Sequence, residues 1–353
     1  MIYGAEMEKQ RGLTLLEILI AMSLGAFMLV GIISLMATVS ATRTELGRSS
    51  ELIENGRYAI QILSEDIALG GYIGPYYSGN IIRTDPSPCD DDAPLSDLGV
   101  VYSATNPQLP SAISGFAEGA TLPTCINNAT PIADAEVLVV RHVNPESVAA
   151  ASAVDGDPYF QFSNCDSEAQ FVFSNVKANF TAPSGLTGND CTTLQPVWAY
   201  ESRAYFISQC DDCSGGGDGI PTLKAVEYAS GTLNTISLVE GIEDMHLEYG
   251  MDLDGDGGPD CYIPDPAVDD LTTVGCPNAG AGPLPALDVE NWDDVVAVKV
   301  NLLVRSLDED PGWNDTQTYE LGRAARVGPF NDAFKRRVQS TSVLIQNISG
   351  VRE

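Results

Sequence analysis

Histidine is nearly absent from this chain: His142 and His246 are the two that 353 residues contain. General-base chemistry at neutral pH and imidazole ligation of zinc both lean on that side chain, so both start with little support. Each histidine sits in or beside an apolar strand-like run, and both are expected to be surface or satisfied strand residues. Positive charge is also scarce, with 18 Lys+Arg against 49 Asp+Glu and a formal net charge of −31. Such a surface repels phosphate backbones, which excludes nucleic acid as a partner drawn in by the protein's own field. Five of the basic residues fall between Arg323 and Arg337. They are expected to balance carboxylates on the folded surface, a local basic patch being the alternative. No Gly-x-Ser-x-Gly, phosphate loop or metallohydrolase signature is present, and no enzymatic activity is expected. The three tryptophans, Trp198, Trp292 and Trp313, default to the core, with a binding surface as the alternative.

What the chain does have begins at its N-terminus. From Ile18 to Thr42 there are 25 consecutive residues without a formal charge, enough helix to cross a hydrocarbon core of about 30 Å. A secretory signal has a shorter apolar region, about 7–15 residues, although the small residues near Ala37 and Ala41 resemble a cleavage site. An ordinary anchor fits the length but leaves Glu17, a carboxylate at the start of the run, unexplained. The helix continues: Leu46, Ile53, Ile60 and Ile67 recur every seven residues with Leu63 on the same side, and Arg43, Glu45, Arg48, Glu51, Glu54 and Arg57 occupy much of the rest. That pattern predicts an amphipathic helix, stopped by Gly70-Gly71 and Gly74-Pro75. From Leu13 to Leu69 it would run about 85 Å if continuous.

The stretch Lys9-Gln10-Arg11-Gly12-Leu13-Thr14-Leu15-Leu16-Glu17 resembles the type IV prepilin signal: a short basic leader, a glycine, an apolar residue, then Thr-Leu-Leu-Glu. The resemblance implies that prepilin peptidase cuts after Gly12 and methylates the new amine of Leu13. It also implies that Glu17 pairs with the N-terminal amine of a neighbouring subunit during assembly, since opposite charges in lipid cost less together than apart. Residues 1–12 are then a leader, 13–42 the membrane and assembly helix, 43–73 its amphipathic continuation, and 74–353 a periplasmic or extracellular head. Met7 also begins a plausible leader, so Met1 and Met7 both stand as candidate starts.

Beyond Gly74 short β-type runs alternate with turn clusters. Strands are expected at Leu98–Tyr102, Glu136–Val143, Gln170–Phe173, Val197–Ile207, Thr222–Tyr228, Thr235–Glu240, Ile242–Met251, Val295–Arg305, Thr316–Leu321 and Val338–Gln346, forming antiparallel sheet. Residues from about Ser78 to Pro131 read as an insertion stapled by cysteines. The fold class is α+β: a long N-terminal helix, transmembrane in its first half, packed on an antiparallel head with disulfide-braced insertions.

All eight cysteines lie beyond the anchor in Asp-, Pro- and Gly-rich surroundings, which points to disulfides and an oxidising compartment. Pairing of sequence neighbours is expected, Cys89–Cys125, Cys165–Cys191, Cys210–Cys213 and Cys261–Cys276, though sequence alone does not choose the connectivity. Cys210-Asp211-Asp212-Cys213 reads as a structural bridge, because its two aspartates oppose the positive potential that a reactive thiolate wants. In Asp252-Leu253-Asp254-Gly255-Asp256-Gly257-Gly258-Pro259-Asp260, carboxylates at alternate positions with glycines to bend the loop suit calcium. The candidate ligands are Asp252, Asp254, Asp256 and Asp260, with Asp265 able to complete the shell. Ile263 occupies the place of the bidentate Glu, so a true EF-hand is excluded, and a solvated acidic turn is the alternative.

Three further blocks resemble PilW-type minor pilins, relatives of the GspJ pseudopilins of type II secretion. They are Tyr58-Ala59-Ile60 through Gly70-Gly71-Tyr72, Leu238-Val239-Glu240-Gly241-Ile242-Glu243 with Tyr249-Gly250, and Phe334-Lys335-Arg336-Arg337. The resemblance implies an inner-membrane subunit that enters the complex priming a type IV pilus and sits at its tip. Its partners would be other minor pilins, the major pilin, prepilin peptidase and a PilY-type tip adhesin. A secretion-system pseudopilin and a calcium-dependent adhesin head on a pilin anchor remain the alternatives.

Overall fold

The computed structural model describes residues 14–75, 81–90, 95–267, 276 and 288–352. The chain divides into two units, Met1–Ser50 and Glu51–Glu353. Helix α1 covers Leu15–Leu69, and its residues up to Ser50 belong to the first unit. Their apolar side chains are exposed, Phe27 at 85%, and the most apolar window has a mean hydropathy of 2.5 with none of it buried. Hydroxyls in this stretch are absorbed by the helix itself: Ser23 donates to the Ile20 carbonyl, Thr38 to Ser34 and Thr42 to Thr38. A helix crossing lipid needs that internal satisfaction.

The second unit holds the remaining helix residues and thirteen described strands: β1 Ile82–Thr84, β2 Gln108–Pro110, β3 Ile113–Phe116, β4 Val137–Val143, β5 Tyr159–Phe162, β6 Phe171–Ser174 and β7 Val197–Ser208, then β8 Thr222–Ala229, β9 Thr232–Glu240, β10 Ile242–Met251, β11 Cys261–Ile263, β12 Val295–Arg305 and β13 Arg336–Leu344. Short helices α2 (Thr124–Asn128), α3 (Asp288–Asp293) and α4 (Gln346–Arg352) complete it. β3, β4, β7, β8 and β9 form an antiparallel sheet. β7 is 12 residues long and also carries β5 and β6 along its first residues, on the edge that β8 occupies further on. A second antiparallel sheet runs β11-β10-β12-β13, and β1 and β2 make a small parallel pair.

Gly241 is the crossing point between the two sheets. Its φ is +77°, its N–H donates to Pro221 and its carbonyl accepts from Arg305 N–H, each at 2.7 Å. A Cβ there would lie 2.7 Å from the Arg305 oxygen, so only glycine lets β9 end in one sheet and β10 begin in the other.

Within the second unit, α1 packs against both sheets through Leu52, Ala59, Leu63 and Ile67. They share one core with Leu138, Val140, Tyr205 and Ile207 of the first sheet and Met245, Leu247, Val300 and Leu302 of the second. The heptad read from sequence holds at Ile67, with Leu63 beside it, and fails further up: Leu46 is 64% exposed, and Ile53 and Ile60 flank the core half-buried. Hydrophobic periodicity missed the centre because it is small. Gly56 lies against β12 and β13, where a Cβ would meet Gln339 at 2.5 Å and Val304 at 2.8 Å. After the helix, Gly71 N–H bonds the Arg141 carbonyl, and Asn347 of α4 donates to the carbonyls of Leu69 and Gly70, taking up the end's unpaired acceptors.

Eight of the ten expected strands form, Ile242–Met251 and Val295–Arg305 with the expected ends and the other six with shifted ones. Leu98–Tyr102 is replaced by a 3-10 turn at Leu95–Leu98 and a single bridge at Val101. Thr316–Leu321 forms only a bridge, Tyr319 to Val327. The segment 78–131 is more than an insertion, since β3 within it pairs with β4 and extends the main sheet. The cysteines are joined as Cys89–Cys125, Cys165–Cys191, Cys210–Cys213 and Cys261–Cys276.

Candidate functional site

The start of α1 is a capping box. Thr14 precedes the first helical residue; its N–H and its hydroxyl each donate to Glu17 Oε2 at 3.0 Å, and Glu17 N–H donates back to Thr14 Oγ1 at 3.3 Å. The Thr-x-x-Glu spacing is the sequence signature of this reciprocal cap, a signal present in Thr14-Leu15-Leu16-Glu17 beside the processing motif. Glu17 is thus held at the first turn of an apolar helix. Among the described residues its Oε1 takes no hydrogen bond. Gly12 and Leu13 lie outside the described residues.

A second constellation ties the C-terminal part of α1 to the head. Asp66 is buried, and its Oδ1 lies 2.8 Å from His142 Nε2 and 3.1 Å from an Arg203 nitrogen, while Tyr205 donates to Oδ2 at 2.8 Å. His142 Nδ1 is 3.1 Å from the Val143 carbonyl. Both ring nitrogens of His142 therefore face acceptors, the arrangement of an imidazolium. Burial works against the charged forms. It is outweighed by the mutual hydrogen bond and charge, which hold the Asp66 carboxyl below its usual range and raise the His142 imidazole above its own. Arg203 also bridges to Glu201 and Glu227. Asp66, His142 and Glu201 offer ligand atoms within 4.8 Å of one another, but a cation there would have to displace the Arg203 guanidinium that joins the carboxylates.

His246 is the other buried histidine, its Nδ1 2.7 Å from Glu136 Oε1. Glu136 also takes Leu247 N–H and Arg323, which forks onto Asp244. Both histidines are thus satisfied strand residues rather than free bases. Most of the basic run meets carboxylates as expected: Arg323 with Glu136 and Asp244, Arg326 with Glu320, Lys335 with Asp310, and Arg336 with Asp315 and Asp332. The tryptophans form no common surface. Trp292 is in the main core and Trp198 packs with Phe162, but Trp313 departs from the expected burial: it is exposed, with Lys335 over its ring.

Of the four loop carboxylates read as calcium ligands, the structure gathers Asp252, Asp254 and Asp260 within 4.8 Å. Asp256 turns instead to the Gly258 N–H at 2.8 Å, and Asp265 to Ala267. Asp252 is only 2% exposed and accepts from Gly255 and Gly257, while Asp260 accepts from Leu253. These are bonds that close the turn between β10 and β11, so the trio by itself carries no ion assignment.

Two family models match the chain: type IV pilus-assembly protein W over residues 204–347, and the prokaryotic N-terminal methylation motif over residues 7–33. No curated protein and no solved structure matches it. A methylation motif running into a long apolar helix, followed by antiparallel sheets, defines a type IV pilin-like subunit. Within that class its C-terminal block, residues 204–347, resembles the PilW type. The match spans the whole β10–β13 sheet and the sheet crossing at Gly241; pilin-family domains of this kind are structural.

Proposed function

We propose that this protein is a minor pilin that joins the complex priming a type IV pilus and remains at its tip. The observation that carries the reading is Glu17, held by Thr14 at the head of an exposed apolar helix in a chain whose C-terminal block is of the pilus-assembly W type. Prepilin peptidase would cut after Gly12, and residues 13–42 would cross the inner membrane once, leaving the head in the periplasm before assembly. The Leu13 amine of the next subunit would then take Glu17 Oε1. A paired charge is far cheaper in lipid than two separate ones. The other minor pilins, the major pilin and a PilY-type tip adhesin are the partners this role requires.

Mass spectrometry of protein from membranes and sheared fibres tests the processing: the expected N-terminus is methyl-Leu13, and an intact Met1 or Met7, or cleavage near Ala41, overturns it. Glu17→Ala should be processed normally yet enter fibres severalfold less. Normal incorporation sinks the pairing role. Loss of secreted hydrolases rather than of pili in a deletion strain selects the type II secretion reading. Intact pili with calcium-dependent surface binding lost selects the adhesin reading.

A further inference from the structure

The turn after β7 holds a cysteine pair in a setting that bracing the fold does not require. Cys210 and Cys213 are three positions apart, and so short a loop stabilises least among the four bridges. Cys210 is buried, whereas Cys213 is partly exposed. Lys224 on β8 is 6% exposed. Its ammonium lies 3.6 Å from Cys213 Sγ and donates to the Asp211 carbonyl at 2.8 Å. The Ser208 hydroxyl is 3.6 Å from Cys213 Sγ and 4.0 Å from Cys210 Sγ.

The same turn is closed without help from the sulfur bond. Asp218 accepts from the N–H groups of Asp211, Asp212 and Ile220 at 3.1, 2.9 and 3.0 Å, and Asp212 accepts from Ser214 N–H. Of the two aspartates between the sulfurs, Asp212 is engaged by a backbone donor, and the main-chain carbonyl of Asp211 accepts from Lys224. The lysine, eleven residues further along the chain, supplies the positive charge that the local sequence lacks. A buried ammonium gains most from a full negative charge beside it, and in the oxidised pair its sulfur neighbour is neutral. Reduction converts that neighbour into a thiolate.

We propose that Cys210–Cys213 is a thiol–disulfide exchange couple, with Cys213 the exchanging sulfur, Lys224 the group that stabilises its thiolate, and dithiols or disulfides its substrates. An incoming thiolate attacks Cys213 Sγ; the Cys210–Cys213 bond breaks, its electron pair passes to Cys210 Sγ, which takes a proton, and a mixed disulfide forms on Cys213. The second thiolate of the dithiol attacks the external sulfur, closes the reductant's own disulfide and releases Cys213 as a thiolate beside Lys224 and Ser208. Two electrons move from the dithiol to the pair. The reverse sequence oxidises the pair at the expense of an external disulfide. Asp218 keeps the two sulfurs near each other when reduced and so favours reclosure.

Full-length protein in detergent is equilibrated with mixtures of reduced and oxidised dithiothreitol, trapped with iodoacetamide and mapped by mass spectrometry. Cys210–Cys213 is expected to open at a lower ratio of reduced to oxidised reagent than the other three pairs. Lys224→Met should demand a ratio about tenfold higher, which is about 30 mV for a two-electron couple, and should move the pH midpoint of Cys213 alkylation upward. Lys224→Arg, which keeps the charge, should behave as the wild type, and Asp218→Ala should open more easily. Opening together with or after the other pairs overturns the proposal, as does a Lys224→Met protein with an unchanged ratio and midpoint. Should Lys224→Met not fold, the wild-type alkylation profile decides: a Cys213 midpoint below the ordinary thiol value of about 8.5 supports the proposal, and one at or above it overturns it.

Discussion

Residues 204–347 and residues 70–203 solve the same packing problem differently. The first stretch, which the pilus-assembly W model matches, contributes strands of 8 to 11 residues in β8, β9, β10, β12 and β13. These share one core with α1. In the second stretch β1, β2, β3, β5 and β6 run only 3 or 4 residues. Ile113, Leu138 and Val140 from this stretch join the shared core, but its other apolar side chains collect largely into separate clusters, one of them built from Phe160, Phe162, Phe171 and Tyr200. Two disulfides, Cys89–Cys125 and Cys165–Cys191, lie wholly within it. Long strands bury enough contiguous area to hold themselves together; short ones hung on the first half of β7 need covalent help.

The contrast breaks most visibly if those two bridges are removed. Their cysteines are 36 and 26 positions apart, and loop-closure entropy assigns about 3.5–4 kcal/mol to each, about 7 kcal/mol together. Replacing all four cysteines by alanine should open residues 70–203 to protease while the amides of β10, β12 and β13 keep their protection from hydrogen exchange. Equal loss across both stretches would show that they fold as one unit. A smaller effect sharpens the same comparison. Leu63→Ala removes a fully buried side chain from the shared core, costs about 3–4 kcal/mol and should lower protection in both sheets. Phe160→Ala, of similar cost, should lower it mainly in β5, β6 and the first residues of β7. A Phe160→Ala protein that loses protection in β12 as well would erase the distinction.

The two stretches also differ in how much was legible from sequence. Val295–Arg305 and Ile242–Met251 were readable with their observed ends, because long apolar runs bounded by turns leave little choice. β3 and β5 were missed, since four residues carry too little periodicity and their pairing with β4 and β7 is decided at long range. Ile67 and Leu63 of the expected helix face are in the core, but at Ile53 and Ile60 the face was displaced by one position because Gly56 and Ala59 create the contact by being small. The cap between Thr14 and Glu17 is local, and its Thr-x-x-Glu spacing stands in the sequence. Asp66, Arg203 and Lys224 were not legible, for each meets its partner only when distant strands are brought together.

The smallest expected effect concerns the join itself, where Asp66 of α1 meets His142 and Arg203. His142 is raised above its ordinary value by Asp66 despite burial. The stability it contributes is therefore complete below about pH 6.5, the unfolded value, and fades as pH rises through the higher folded value. Asp66 is lowered against the same burial. Its contribution is complete above about pH 3.9 and fades as pH falls through the lower folded value. Denaturant midpoints measured across pH should thus be highest between about 4 and 6.5 as far as this pair is concerned, with a decline on the alkaline side. His142→Gln keeps a hydrogen-bonding side chain but cannot charge. It should cost about 1–2 kcal/mol near pH 6 and flatten the alkaline decline, while Arg203 and Tyr205 still hold Asp66 and preserve the acid limb. An alkaline decline of the same depth in His142→Gln would assign it to groups away from the join, and the helix would then be held to the head by its core packing and by the bonds of Asp66 to Arg203 and Tyr205.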